Sequence, residues 1–197
     1  VIATRSDCIN EDIAGYLKEM AEKKEVWLEL GLQSIHEKTL KEMNRQENYA
    51  DLLNALKLTG NSKLKTSIHI INGWPGETEE MMLQTASAVS SLPVTAIKIH
   101  MLHVLRNTPL ARQYQQGPFP LLSRQQYTEL VARQLTLLRE DMVIERVTGD
   151  GLRSELIAPL WTLKKVSVIN DIDKIMAVNN WWQGKFFSQQ VNHSLCP

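Results

Sequence analysis

The feature that most constrains the fold is a repeated alternation of short apolar strands with amphipathic helices. The pattern predicts strands near residues 1–4, 27–33, 65–73, 96–104 and 143–148, with helices between them. Strands that alternate with helices pair in parallel through right-handed crossovers. The sequence therefore predicts an α/β fold, either an open sheet or a barrel.

Three successive predicted strands carry apolar residues on one face and polar residues on the other. The polar positions are Glu29, Gly31 and Gln33 in the first strand, Ser67 and His69 in the second, and Lys98 and His100 in the third. Strands covered on both faces by helices are usually apolar throughout, and unpaired buried polar groups are costly. We therefore expect the polar faces to line a ligand cavity inside a barrel. If the third strand stays regular, His103 points away from that cavity.

Capping residues predict the helix boundaries. Asn10, followed by two acidic residues, predicts a helix to about Lys24, and Ser123 begins another helix with a capping box. Residues 39–60 are predicted to be mostly helical, with a break near Glu47.

Composition limits the possibilities further. The chain has 197 residues, 43% of them hydrophobic, which suits a single core. It has no apolar run long enough for a membrane helix and no signal-peptide pattern, so we expect a cytoplasmic protein without membrane contact. Its two cysteines, Cys8 and Cys196, predict free thiols and no metal site within the chain. Because Val1 begins inside a predicted strand, we expect the chain to be part of a longer protein.

The net charge is zero, but it is distributed unevenly. Residues 1–97 carry 10 basic and 14 acidic groups, whereas residues 98–197 carry 12 and 8. The basic excess of the second half permits an anionic partner there.

The most specific segment is residues 67–78, Ser-Ile-His-Ile-Ile-Asn-Gly-Trp-Pro-Gly-Glu-Thr. A strand, a turn with two glycines and a proline, and a capped helix would expose backbone groups at a cavity rim. A tight strand-to-helix connection explains the segment equally well. The segment also resembles the strand-five adenine-binding motif of radical S-adenosylmethionine (SAM) enzymes, in which leucine usually stands in place of Trp74.

Other stretches extend this resemblance along almost the whole chain. They are residues 4–8, 29–34, 39–40, 44–45, 98–105, 148–150, 158–161 and 164–165. In this order they resemble radical SAM proteins of the YhcC/YtqA type, which are related to the radical SAM domain of the Elongator catalytic subunit. The chain departs from that family at Ser6, where proline is usual, and at Glu47, where histidine is common. It also lacks the CxxxCxxC motif, which lies upstream in the family.

The resemblance implies a partial parallel βα barrel of radical SAM type, formed by its last three to four βα units. The barrel would occupy residues 1–140, and a C-terminal extension at 141–197 would pack on it. Carried over residue by residue, the resemblance implies that SAM is bound by Glu29, Gln33, Ser34, Arg45, His69, Ile71, Gly73 and Leu102. The substrate side would include Lys98, His100, Arg106, Lys164 and Lys165, with Arg112 as a further phosphate contact.

The resemblance also implies the activity, an enzyme that cleaves SAM with a [4Fe–4S] cluster to start radical chemistry. It implies tRNA as the partner, through wobble-uridine modification, and a flavodoxin or ferredoxin as electron donor. With the cluster ligands upstream, this chain alone is expected to be inactive. Two alternatives stay open. One is a non-redox βα-barrel enzyme, an aldolase or hydrolase that uses Glu29, Lys98 and His100, and the other is a cluster-free domain that binds SAM or RNA.

Overall fold

Strands and helices alternate along most of the computed structural model, which describes residues 1–149 and 151–187. The strands are β1 (Ile2–Thr4), β2 (Trp27–Gln33), β3 (Lys65–Asn72), β4 (Ala96–Met101), β5 (Val104–Leu105), β6 (Val143–Arg146) and β7 (Leu156–Ala158). The helices are α1 (Glu11–Lys23), α2 (Glu37–Glu42), α3 (Tyr49–Thr59), α4 (Glu79–Ser90), α5 (Pro109–Gln116), α6 (Arg124–Leu137) and α7 (Lys165–Val178).

Five of these strands form one parallel sheet in the order β1-β2-β3-β4-β6. The predicted α/β fold with parallel strands is therefore confirmed. The short strands β5 and β7 form a separate antiparallel pair beyond the end of β4. Where the sequence predicted one strand over 96–104, the structure has β4 ending at Met101 and β5 beginning at Val104.

Helix boundaries follow the capping residues. The Asn10 side chain accepts a hydrogen bond of 2.9 Å from the Ile13 N–H at the start of α1. The predicted break near Glu47 separates α2 from α3, and α3 begins with a capping box formed by Asn48 and Asp51.

The apolar face of the sheet packs against the helices. Leu28, Leu30, Ile68, Ile97 and Ile99 have no exposed surface and belong to one hydrophobic cluster that includes residues of α1, α3, α4 and α6. Each such side chain contributes about 1.5–3 kcal/mol on burial. These helices cover the apolar face of the sheet, so the site can form only on the opposite, polar face of the strands.

A reciprocal amide pair fixes the end of β3. Asn72 Nδ2 donates to Gln134 Oε1 at 2.7 Å, and Gln134 Nε2 donates to Asn72 Oδ1 at 2.9 Å and to the Met82 carbonyl at 3.0 Å. Both amide side chains are buried, so these bonds satisfy groups that would otherwise be costly. They tie the strand end that precedes Gly73 to α4 and α6.

The sheet continues past residue 140, because β6 pairs with β4. Helix α7 packs against α6, and Trp161 lies 5.3 Å from the buried ring of Tyr127, measured between ring centroids. A domain boundary between residues 140 and 141 stays a prediction. Cys8 is an exposed free thiol, and Cys196 lies outside the described residues. None of the described helices is long and apolar enough to span a membrane.

Candidate functional site

A cavity of about 330 Å³ opens at the carboxyl ends of β2, β3 and β4. It is lined by Gln33, His69, Ile71, His100, Met101, Leu102 and His103. Its volume falls within the usual range of small-molecule sites, roughly 300–1,000 Å³. Five residues of the predicted site therefore share one cavity wall.

Gly31 allows two polar side chains to lie over the end of β2. A Cβ atom at this position would be 2.6 Å from Gln33 Nε2 and 3.4 Å from Arg45 Nη2. Arg45 Nη2 donates to the Gly31 carbonyl at 2.7 Å. The strand changes register here and Gln33 has a φ of 67°, which turns it out of the regular strand. The absence of a side chain at Gly31 thus makes room for the Gln33 amide and the Arg45 guanidinium.

A cluster of charged side chains lies on the same polar face but does not line the cavity. Lys98 Nζ pairs with Glu29 Oε1 and lies 3.9 Å from Glu145 Oε2, which also accepts a hydrogen bond from the Ser67 hydroxyl. Glu29 Oε2 is 3.0 Å from His69 Nε2. Burial acts to raise the pKa of Glu29, but the hydrogen bond and charge of Lys98, with the contribution of His69, lower it below its ordinary value. Glu29 is therefore an ionised carboxylate that holds His69 in place.

His69 and His100 form a stacked pair, with ring centroids 5.4 Å apart and planes inclined by 24°. Burial lowers the pKa of His69, assisted by the charge of Lys98 and opposed by Glu29. Burial also lowers the pKa of His100 to about 4, with further contributions from His69 and Arg146. Both rings are therefore neutral near pH 7, where each offers one donor and one acceptor nitrogen.

His103 also faces the cavity, although strand alternation predicted the opposite side. The reason is that β4 ends at Met101, so alternation does not extend to residue 103. Two glycines pack against the ring: a Cβ at Gly149 would be 2.6 Å from His103 Cε1, and one at Gly151 would be 3.0 Å from Nδ1. The Nε2 atoms of His100 and His103 are buried without a hydrogen-bond partner among the described residues. Such orphaned nitrogens suit a ligand that brings its own polar groups.

Gly73 follows β3, is buried and does not line this cavity; its φ of +92° is a backbone conformation that favours glycine. A Cβ there would be 3.1 Å from Leu122 Cδ1. Ser34 lies behind the cavity wall, where its hydroxyl donates to Glu77 Oε1 at 2.5 Å. Burial raises the pKa of Glu77. Ser34 thus supports the turn after β2 and does not line the cavity, and its predicted contact with SAM stays a prediction.

The predicted substrate-side cations follow β4 in the chain. Arg106, Arg112 and Lys164 are exposed, and Lys165 is half-buried. Burial lowers the pKa of His103, and the nearby charge of Lys165 adds to this effect. Of these four side chains, Lys165 is therefore the one with an electrostatic link to a cavity residue.

Comparison with protein families covers nearly the whole chain. The model of the radical SAM superfamily matches residues 1–89, and that of the radical SAM C-terminal domain matches residues 94–177. This chain belongs to the radical SAM superfamily. The family predicted from the sequence motifs is confirmed.

Similar sequences include YtqA of Bacillus subtilis (strain 168), which is 41% identical over 196 residues, covering 98% of this chain and 60% of YtqA. YhcC of Escherichia coli (strain K12) is 30% identical over 176 residues, covering 89% and 57%. The tRNA uridine(34) acetyltransferase of Methanocaldococcus infernus is 28% identical over 153 residues, covering 76% and 28%. The chain thus spans less than two thirds of the length of these relatives.

The same fold occurs in archaeal Elp3 of Methanocaldococcus infernus with residues 1–46 deleted. That structure superposes with a TM-score of 0.75 at 22% sequence identity, covering 92% of this chain and 42% of Elp3. At this identity the likeness shows a shared fold.

The described lining of this cavity suits a polar organic ligand such as SAM rather than a cluster. Two neutral imidazoles with orphaned nitrogens, an amide and a guanidinium provide hydrogen bonds for a polar organic ligand. Iron–sulfur clusters are held mainly by cysteine thiolates. Among the described residues, Cys8 is the one cysteine, and no group of three His, Cys, Asp or Glu side chains could hold a metal ion.

Proposed function

We propose that this chain forms the SAM-binding wall and the substrate-facing wall of a radical SAM enzyme. The observation that carries the proposal is the polar cavity at the ends of three strands, in a chain that radical SAM models match over residues 1–89 and 94–177. The family implies SAM and a [4Fe–4S] cluster as cofactors. The cluster ligands would lie in a part of the protein other than this chain, because Cys8 and Cys196 cannot supply three thiolates to one cluster.

Three polar residues would orient SAM. Gln33 and Arg45, side by side over Gly31, and His69, held by Glu29, would contact its ribose and methionine parts. A bound cluster would supply the electron that cleaves SAM reductively. The residues of this chain would hold SAM and substrate in a reactive geometry and exclude water.

The rim after β3 and β4 would frame the adenine. Ile71 and Leu102 line the cavity, and Gly73 turns the backbone beyond the end of β3 with its φ of +92°. On the substrate side, the neutral rings of His100 and His103 would provide hydrogen bonds without adding charge. Lys98 does not line the cavity. Its ammonium pairs with Glu29, which contacts His69, so Lys98 would influence the ligand through these two side chains.

The non-redox alternative is not favoured by the geometry. A Schiff-base lysine must reach its substrate as a free amine, whereas Lys98 is paired with Glu29 and Glu145 and does not line the cavity. A cluster-free domain that binds SAM differs from our proposal in its iron content and its products.

Anaerobic reconstitution of the full-length protein tests the proposed activity. We expect the iron content and absorption of a [4Fe–4S] cluster, and formation of 5′-deoxyadenosine when SAM and a reductant are added. The 197-residue chain alone should form no 5′-deoxyadenosine. Full-length protein that binds SAM without iron would favour the cluster-free alternative, and 5′-deoxyadenosine from the isolated chain would show that the cluster ligands have been placed wrongly.

We also propose tRNA as the substrate. The support is the similarity to a tRNA uridine(34) acetyltransferase and the basic excess of residues 98–197. Arg106, Arg112, Lys164 and Lys165 would contact phosphates while one nucleoside enters the cavity. A cytoplasmic location and a flavodoxin or ferredoxin as electron donor stay predictions.

Salt dependence tests the tRNA proposal. The logarithm of the binding constant for tRNA should fall linearly with the logarithm of salt concentration, and Arg106→Gln or Arg112→Gln should each reduce that slope by about one unit or less. Lys57→Gln on α3, which packs beside β2, is the matched control and should leave the slope unchanged. Affinity that hardly changes with salt, or an equal effect of Lys57→Gln, would contradict the phosphate contacts.

A further inference from the structure

Glu47 is a buried carboxylate in the loop between α2 and α3, with 4% of its surface exposed. One carboxylate oxygen forms an ion pair with Arg45 Nη2, and the other accepts a hydrogen bond of 2.7 Å from the Ser6 backbone N–H. Ser6 belongs to the turn that follows β1. The Glu47 side chain therefore links the turn after β1 to Arg45.

The Nη2 atom of Arg45 contacts two groups. It forms the ion pair with Glu47 Oε1 and donates the hydrogen bond of 2.7 Å to the Gly31 carbonyl. An arginine side chain has many rotamers, and two fixed partners select one of them. The selected rotamer lies over Gly31 beside the amide of Gln33, which lines the cavity.

One nitrogen of this arginine has no acceptor. Arg45 Nε is buried and lacks a hydrogen-bond partner among the described residues. Buried donors in native proteins are nearly always paired. An oxygen atom of a bound ligand could pair with this N–H, because Arg45 lies next to the cavity residue Gln33.

We infer that Glu47 is a positioning residue, which fixes the Arg45 guanidinium over Gly31, beside the cavity residue Gln33, for contact with bound SAM. The inference rests on the proposed function, because it needs SAM in the cavity. Glu47 touches no ligand itself; it acts through the guanidinium that it holds. Without it, the partly exposed guanidinium would lose its carboxylate partner and turn toward solvent.

Calorimetric titration of the reconstituted full-length protein with SAM tests this role. Glu47→Gln preserves the size of the side chain but removes its charge, and it should weaken SAM binding about tenfold. Arg45→Gln should weaken binding at least as much, and the double variant should bind no more weakly than Arg45→Gln alone, because Glu47 acts through Arg45. The matched control is Glu79→Gln, which removes the carboxylate of an exposed ion pair with Arg133 and should leave SAM affinity unchanged.

Ser6→Pro provides a second variant in case Glu47→Gln does not fold. Proline has no N–H to donate to Glu47, yet it suits this position, the first residue of a helical turn after an extended Arg5. We expect severalfold weaker SAM binding in a variant that still folds.

The possible results separate this inference from the proposal on which it rests. If the wild-type protein does not bind SAM, the proposed function fails. If it does bind, and folded Glu47→Gln or Ser6→Pro has the same or higher affinity, then Glu47 serves only structure or charge balance and our inference is wrong. Additive losses in the double variant would likewise overturn it.

Discussion

Acidification from pH 6.5 to about pH 4 is expected to lower the free energy of unfolding by roughly 3 kcal/mol through His100 alone. The folded protein holds His100 neutral because the ring is buried and faces other positive or titrating groups, namely His69, Arg146, Lys98 and His103. The unfolded chain takes up the proton near the ordinary pKa of 6.5. The stabilisation is thus fully present above that pH and is lost as the pH falls toward the folded pKa.

Urea denaturation at successive pH values measures this effect. His100→Gln keeps a neutral polar side chain without the titration, so the difference in unfolding free energy between wild type and variant should shrink by that amount over the same pH range. Carboxylates that titrate below pH 5 affect both proteins and cancel in the difference. A difference that is constant with pH would show that His100 is not held neutral.

Lys98→Met is expected to destabilise the protein by about 3–5 kcal/mol, the usual cost of breaking a buried ion pair. The lysine and Glu29 side chains are 14% and 13% exposed, and Glu145 lies on the other side of the ammonium. Without Lys98, Glu29 and Glu145 lose the ammonium that lies near both carboxylates. The unfolding free energy in urea gives the measured loss.

A matched control is Lys63→Met, because Lys63 and Glu22 form an ion pair in which the side chains are 69% and 57% exposed. Exposed pairs contribute about 0–1 kcal/mol, so this variant should remain close to wild type. Glu29→Gln combined with Lys98→Met should cost less than Lys98→Met alone, since it removes the uncompensated charge. Equal losses at Lys98 and Lys63 would show that the charged cluster is solvated and not buried.

The sequence predicted those site residues that lie within regular strands. Glu29, His69 and His100 occupy alternating positions, so period-two reasoning placed them on the polar face that bears the cavity and the charged cluster. The same period-two argument put His103 on the wrong side. Its orientation depends on where β4 ends and on the two glycines that pack against it. Local periodicity contains no information about either feature.

The sequence did not predict Glu145 or the role of Glu47. Glu145 lies in a strand of four residues, too short for a clear alternation, and its partner Ser67 is 78 positions away in the chain. Glu47 meets the Ser6 N–H across 41 positions. The sequence signal for this contact is that Ser6 and Glu47 both depart from the family pattern. The structure shows that these two residues share a hydrogen bond.

The strand order has a consequence for synthesis on the ribosome. In β1-β2-β3-β4-β6, each strand pairs with the member of the sheet that precedes it in sequence. A nascent chain can therefore add one strand at a time to a surface already formed, and no strand needs to be inserted between two earlier ones. At each stage the newest strand is the edge strand on that side of the sheet, and its backbone N–H and C=O groups are unpaired there. The strand that could pair wrongly with another segment therefore changes as synthesis proceeds.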